Sequence, residues 1–178
     1  MTAAPVLRGD WLFPTEIRFG AGRIAELGDA CRRLGLRRPL IVTDRGLAAT
    51  PIAELVRDAA RGTGVAPGFF AGVQENPTGR NVEAGVAAFN DHRADGVIAL
   101  GGGSGLDCAK TIAILVACGG PLWRFAWPDH EAAQSEPGRF PIIAIPTTAG
   151  RSSPAPSSPT ARRQRNAPYC IPPCCPRS

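Results

Sequence analysis

Apolar positions along the first 150 residues switch repeatedly between two periods. In residues 22–35, Ile24, Leu27, Cys31 and Leu34 recur at helical spacing and Gly35 supplies a stop. Residues 39–44, PLIVTD, then form a continuous apolar run ending in an acid, the pattern of a strand covered on both faces. A second helix is predicted to open at Thr50 and Pro51, with proline suited to its first turn, and to bury Ile52, Leu55, Val56 and Ala59. Residues 65–73 read as a weaker strand, and NPTGRN as the turn before a helix carrying Val82, Val86 and Phe89. Residues 96–100 are again strand-like, GGGSG is the loop behind them, and residues 106–118 continue as a helix starting near Ser104. A loop containing tryptophan leads to a last strand at residues 140–145. Strand alternating with helix in this way predicts an α/β fold, a doubly wound parallel sheet of the Rossmann-like kind.

Sheets of that kind bind ligands in the crevice beyond the carboxyl ends of their strands. Asp44, Asn76, Gly101 to Ser104, Thr147 and Thr148 all fall just past predicted strands or in the turns that follow, so one crevice can gather them. The glycines are the most informative of these. Bare backbone admits an anion closely, and the helix that opens behind it offers unpaired amides and the positive end of its dipole, to which the Ser104 hydroxyl adds. The pattern G-x-G-x-x-G fails, because Leu106 occupies the last position, and the strand-end acid precedes the loop instead of following it. A tight strand-to-helix turn is the alternative use of such glycines. Asp107 is expected in the first helical turn, where it either caps the terminus or meets a cofactor.

Composition narrows the classes. The hydrophobic share of 44% and charged share of 20% are those of a globular chain. No apolar run approaches the roughly 18 residues of a membrane span, and the amino terminus lacks a secretory layout, so a cytoplasmic protein without membrane partner is expected. The net charge of +5 arises after residue 150, since acids and bases balance before it and Arg151, Arg162, Arg163, Arg165 and Arg177 meet no acid beyond. That segment, residues 151–178, holds seven prolines and few aliphatic side chains, and is expected to be a disordered tail behind a domain of residues 1–150. Its RRQR run is a weak lead to nucleic acid, its prolines to an SH3-like partner and its CxxxCC to zinc; a solvated end without function outweighs all three, and no nucleic-acid partner is expected. Of the six cysteines, Cys31, Cys108 and Cys118 stand apart in apolar patterns and read as reduced core thiols.

FPTEIRFGAG (13–22), LIVTD (40–44), ENPT (75–78), GGGSGLDCAK (101–110) and IPTTAG (145–150) resemble, in order and spacing, the amino-terminal half of the iron-dependent alcohol dehydrogenases. The resemblance runs from residue 11 to Gly150. It implies interconversion of an alcohol and an aldehyde with NAD(P), on a nucleotide-binding α/β domain followed by a helical domain that carries a divalent metal. By the same resemblance Asp44 meets the adenosine ribose and favours NAD over NADP. Asn76 lies near the cofactor, Gly102, Gly103 and Ser104 hold its pyrophosphate, and Thr147 and Thr148 reach towards the nicotinamide. Lys110 supports the loop from the helix, and the strand around residues 13–19 pairs subunits into a homodimer. The family's iron is held by an aspartate and three histidines, whereas this chain has only His92 and His130, so no metal ligand is assigned and the chain alone is expected to be inactive. The loss of pattern after Gly150 is expected to reflect a frameshift or truncation. A nucleotide-binding module without catalysis is the competing function.

Overall fold

The computed structural model describes residues 8–12, 16–122 and 140–148. The tail, the tryptophan loop, Phe13 and His130 lie outside the described residues. Strands β3 (Leu40–Asp44), β4 (Gly68–Val73), β5 (Val97–Gly101) and β6 (Ile142–Pro146) form one parallel sheet in the order β4-β3-β5-β6. A separate antiparallel hairpin, β1 (Arg8–Leu12) with β2 (Glu16–Gly20), precedes it. The sequence reading placed one strand there and missed the hairpin, because its partner segment carries no clear alternation.

Helices cover both faces of the sheet. On one face α1 (Leu27–Arg33), entered through a 3-10 turn at Arg23–Glu26, and α3 (Pro51–Arg61) pack on Ile41, Ile98 and Leu100. On the other, α4 (Gly79–His92) and α5 (Gly103–Cys118) pack on Leu40, Val42, Val97 and Ala99. The two central strands are therefore buried on both sides, as their unbroken apolar runs predict. A four-residue helix, α2 (Arg45–Ala48), follows β3 directly and was not foreseen. It exists because Asp44 caps it, Asp44 Oδ1 accepting a hydrogen bond from the Leu47 amide at 2.8 Å.

Two expected faces are corrected. Helix α3 buries Ala53, Val56 and Ala60, while Ile52 and Leu55 are about half exposed and Ala59 is half-buried. The small side chains of the buried stripe let the helix axis approach the sheet, which turns the larger stripe outward. Leu34 is exposed too, because α1 ends at Arg33 and Leu34 stands at its cap, off the apolar face. Val82 and Phe89 are buried as expected, with Val86 packed beside them.

Cys31 and Cys108 are free and buried, and burial pushes both thiols up to about 11, with the charge of Asp95 adding to the effect at Cys31. Both are thus protonated and unreactive at neutral pH. Cys118 is free and half-buried.

Asp95 closes the end of the sheet remote from the crevice. Its carboxylate accepts from the Arg37 amide at 2.6 Å and the Arg38 amide at 3.0 Å, fixing the entry to β3 against the entry to β5. Asp95→Ala is expected to lower the unfolding free energy by about 1–3 kcal/mol through these lost charge-assisted bonds, as measured by urea denaturation.

Candidate functional site

The chain runs from β3 outward to β4 on one side and then returns to β5 on the other, so the carboxyl ends of β3 and β5 flank the point where strand order reverses. A solvent-open crevice of about 650 Å³ lies there. It is lined by Asp44, Arg45 and Gly46 after β3, by residues 72–76 at the end of β4 and beyond, and by residues 102–105 after β5.

The glycine turn owes its shape to two positions. Gly101 has φ +146°, a conformation that side chains other than glycine rarely adopt. At Gly105 a Cβ would stand 3.2 Å from the Leu100 carbonyl oxygen, so the first turn of α5 lies tight on the strand it follows. The helix begins at Gly103, one residue before the expected start near Ser104, with Gly102 as its cap. No side chain caps it. Its first intrahelical bond runs from the Leu106 amide to the Gly102 carbonyl at 3.0 Å, which leaves the amides of Gly103, Ser104 and Gly105 without helical partners beside the crevice.

That early start corrects the placement of Asp107. It falls in the second turn, where the dipole's local field has faded, and its exposed carboxylate lies 3.7 Å from Lys110 Nζ instead of capping the terminus. Lys110 thus pairs along its own helix. Neither residue lines the crevice.

Asp44, Asn76, Gly102, Gly103 and Ser104 do come together there. Asp44 spends Oδ1 on the α2 cap, while its Oδ2 faces Gly101, 3.9 Å from where a Cβ on that glycine would stand. Thr147 and Thr148 are exposed just past β6 and outside the lining; Thr147 joins the edge of the site by donating its amide to the Gly101 carbonyl at 3.0 Å. Arg45, Gly46, Gly72, Gln74, Glu75 and Gly105 also line the crevice and were missed. All but Gly72 follow a strand end by one to four residues, a signal that could have found them.

Ser104 behaves differently from expectation. Its hydroxyl donates to the Glu75 carbonyl, across the crevice from its own helix. His92 is half-buried at the far end of α4, where Nε2 hydrogen-bonds with the Ala66 carbonyl at 3.0 Å. Among the described residues no three His, Cys, Asp or Glu side chains gather as a metal-binding group.

A doubly wound parallel unit, with an uncapped glycine-led helix at its switch point, is the class that this geometry defines. Residues 14–167 match the model of the family described as iron-containing alcohol dehydrogenase, and the chain belongs to that family. The match continues past Gly150, where the resemblance was expected to end. The chain is 39% identical over 139 residues to a 4-hydroxybutyrate dehydrogenase of Cupriavidus necator, covering 78% of this chain and 36% of that enzyme. A 1,3-propanediol oxidoreductase crystal structure superposes with a TM-score of 0.69 at 35% identity, covering 74% of this chain and 34% of the other. A sulfoacetaldehyde reductase of Bifidobacterium kashiwanohense, solved with NAD+, superposes with a TM-score of 0.63 at 27% identity, covering 74% and 34%. The chain spans about a third of the length of these relatives. The iron in the family's name finds no donor set among the described residues.

Proposed function

We propose that the crevice binds NAD and that the chain contributes the cofactor-binding part of an oxidoreductase interconverting alcohols and aldehydes. The observation that carries this reading is the set of unpaired amides at Gly103, Ser104 and Gly105, facing a cleft whose glycines leave backbone open to an anion. The NAD+ held by the related sulfoacetaldehyde reductase supports it. When bound, the nicotinamide cofactor supplies or accepts the hydride. The residues of this chain bind and orient it. The α5 amides neutralise part of the diphosphate charge, and Gly101 keeps the turn low enough for close approach. Asp44 Oδ2 remains open to accept ribose hydroxyls and repels a 2′-phosphate, so NAD is preferred to NADP. Asn76 adds an amide to the wall, and Thr147 and Thr148 extend the site past β6. A second copy docks along β2, where Ile17 and Phe19 are about half exposed on one face of the hairpin. No described helix is long and apolar enough to cross a membrane.

Fluorescence titration tests the reading. NADH is expected to bind and to be preferred to NADPH. Asp44→Ala is expected to remove that preference by about tenfold and, through the lost cap, to cost about 0.5–2 kcal/mol of stability. Absence of NADH binding to the folded chain would refute the assignment. Aldehyde-dependent NADH oxidation with added ferrous ion then separates a catalyst from a binding module.

A further inference from the structure

We propose that the Ser104 hydroxyl is a positioning group that pins the wall formed by residues 74–76, and that the diphosphate is held by backbone amides without it. This rests on the dinucleotide reading above for the identity of the ligand, though not for the pin itself. A serine hydroxyl carries one proton, and that of Ser104 is committed to the Glu75 carbonyl, 29 positions away in sequence. A phosphate oxygen can only accept, so it cannot share that proton without competing against Glu75.

The wall has little else to hold it. Beyond residue 77 the chain is tied down by a capping box, in which Asn81 Oδ1 accepts from the Thr78 amide at 2.9 Å. Before residue 74, Asn81 Nδ2 donates to the Gly72 carbonyl at 2.9 Å. Between these anchors, Gln74, Glu75, Asn76 and Pro77 are exposed, and the Ser104 bond is the one hydrogen bond among the described residues that reaches them from elsewhere in the fold. One hydroxyl therefore sets the width of the crevice between the β4 end and the start of α5.

Backbone amide NMR relaxation of the full chain without ligand tests the pin. Ser104→Ala is expected to lower the order parameters of residues 74–76 from about 0.85 to below about 0.6, while those in β3 and β5 stay unchanged. Ser104→Thr, which keeps the hydroxyl, is expected to restore them. Calorimetric titration with inorganic pyrophosphate then tests the division of labour, with the Ser104→Ala dissociation constant expected within about twofold of the parent's because the α5 amides remain. Unchanged order parameters at residues 74–76 in Ser104→Ala would overturn the pin. A tenfold or greater loss of pyrophosphate affinity in that variant would return the hydroxyl to the anion and overturn the proposal as well. If the parent chain binds neither pyrophosphate nor NADH, the dinucleotide reading and the claim about the diphosphate fall together, and the relaxation result judges the pin by itself.

Discussion

Gly102→Asp is expected to raise the melting temperature of the protein while lowering its affinity for NADH at least about tenfold. The cap of α5 has φ −80° and ψ −168°, extended backbone that any L-residue accepts, so the substitution brings no conformational strain. An aspartate there accepts from the free amides of Ser104 or Gly105 and places a negative charge on the positive end of a sixteen-residue helix. The gain is about 0.3–1 kcal/mol. For binding the same change is adverse, because the carboxylate takes the amides that a diphosphate needs and repels its charge. One such like-charge pair about 4 Å apart at a protein surface costs about 1–4 kcal/mol, and each 1.4 kcal/mol is about tenfold in affinity. Gly102→Asn supplies the cap without the charge and is expected to lose less. Thermal melting followed by NADH titration of the three proteins checks both signs. An aspartate variant that binds NADH like the parent would move the diphosphate away from α5.

The second large effect belongs to the α4–α5 seam. Gly85 lies where α4 meets α5, and a Cβ built on it would collide with Ile112 Cδ1 and stand 2.9 Å from Cγ1. Ile112 is fully buried and has little room to yield. Gly85→Ala is therefore expected to cost about 1–3 kcal/mol by overpacking, although alanine is intrinsically the better helix former by about 1 kcal/mol. Ile112→Ala removes a buried side chain from the same contact, and the expected cost is about 2–5 kcal/mol. In the double variant the alanine methyl at residue 85 fills part of the space that Ile112 vacates. The combined loss is then expected to fall short of the sum by about 0.5–3 kcal/mol, measured by urea unfolding of all four proteins. Strict additivity would mean that the two helices do not meet at this glycine.

The alternation of strand and helix, the burial of β3 and β5 and the position of the glycine turn were legible along the chain, because each is written in a local period or in an unbroken apolar run. That legibility extended to Asp44, Asn76, Gly102, Gly103 and Ser104, which share a crevice since parallel strands bring all their carboxyl ends to one side. Other features needed the assembled molecule. Helix α3 carries two apolar stripes one residue apart, and only its fit against the sheet chose Ala53, Val56 and Ala60 over Ile52 and Leu55. Glycines carry no helical signal, so the start of α5 at Gly103, and with it the displacement of Asp107 from the first turn, followed from how closely the backbone passes Leu100. The partner of the Ser104 hydroxyl sits on a different loop, brought near by strand order rather than by sequence distance. Periodicity reports which residues avoid water, whereas the choice among equivalent faces, termini and hydrogen-bond partners depends on the shapes of neighbours that folding alone assembles.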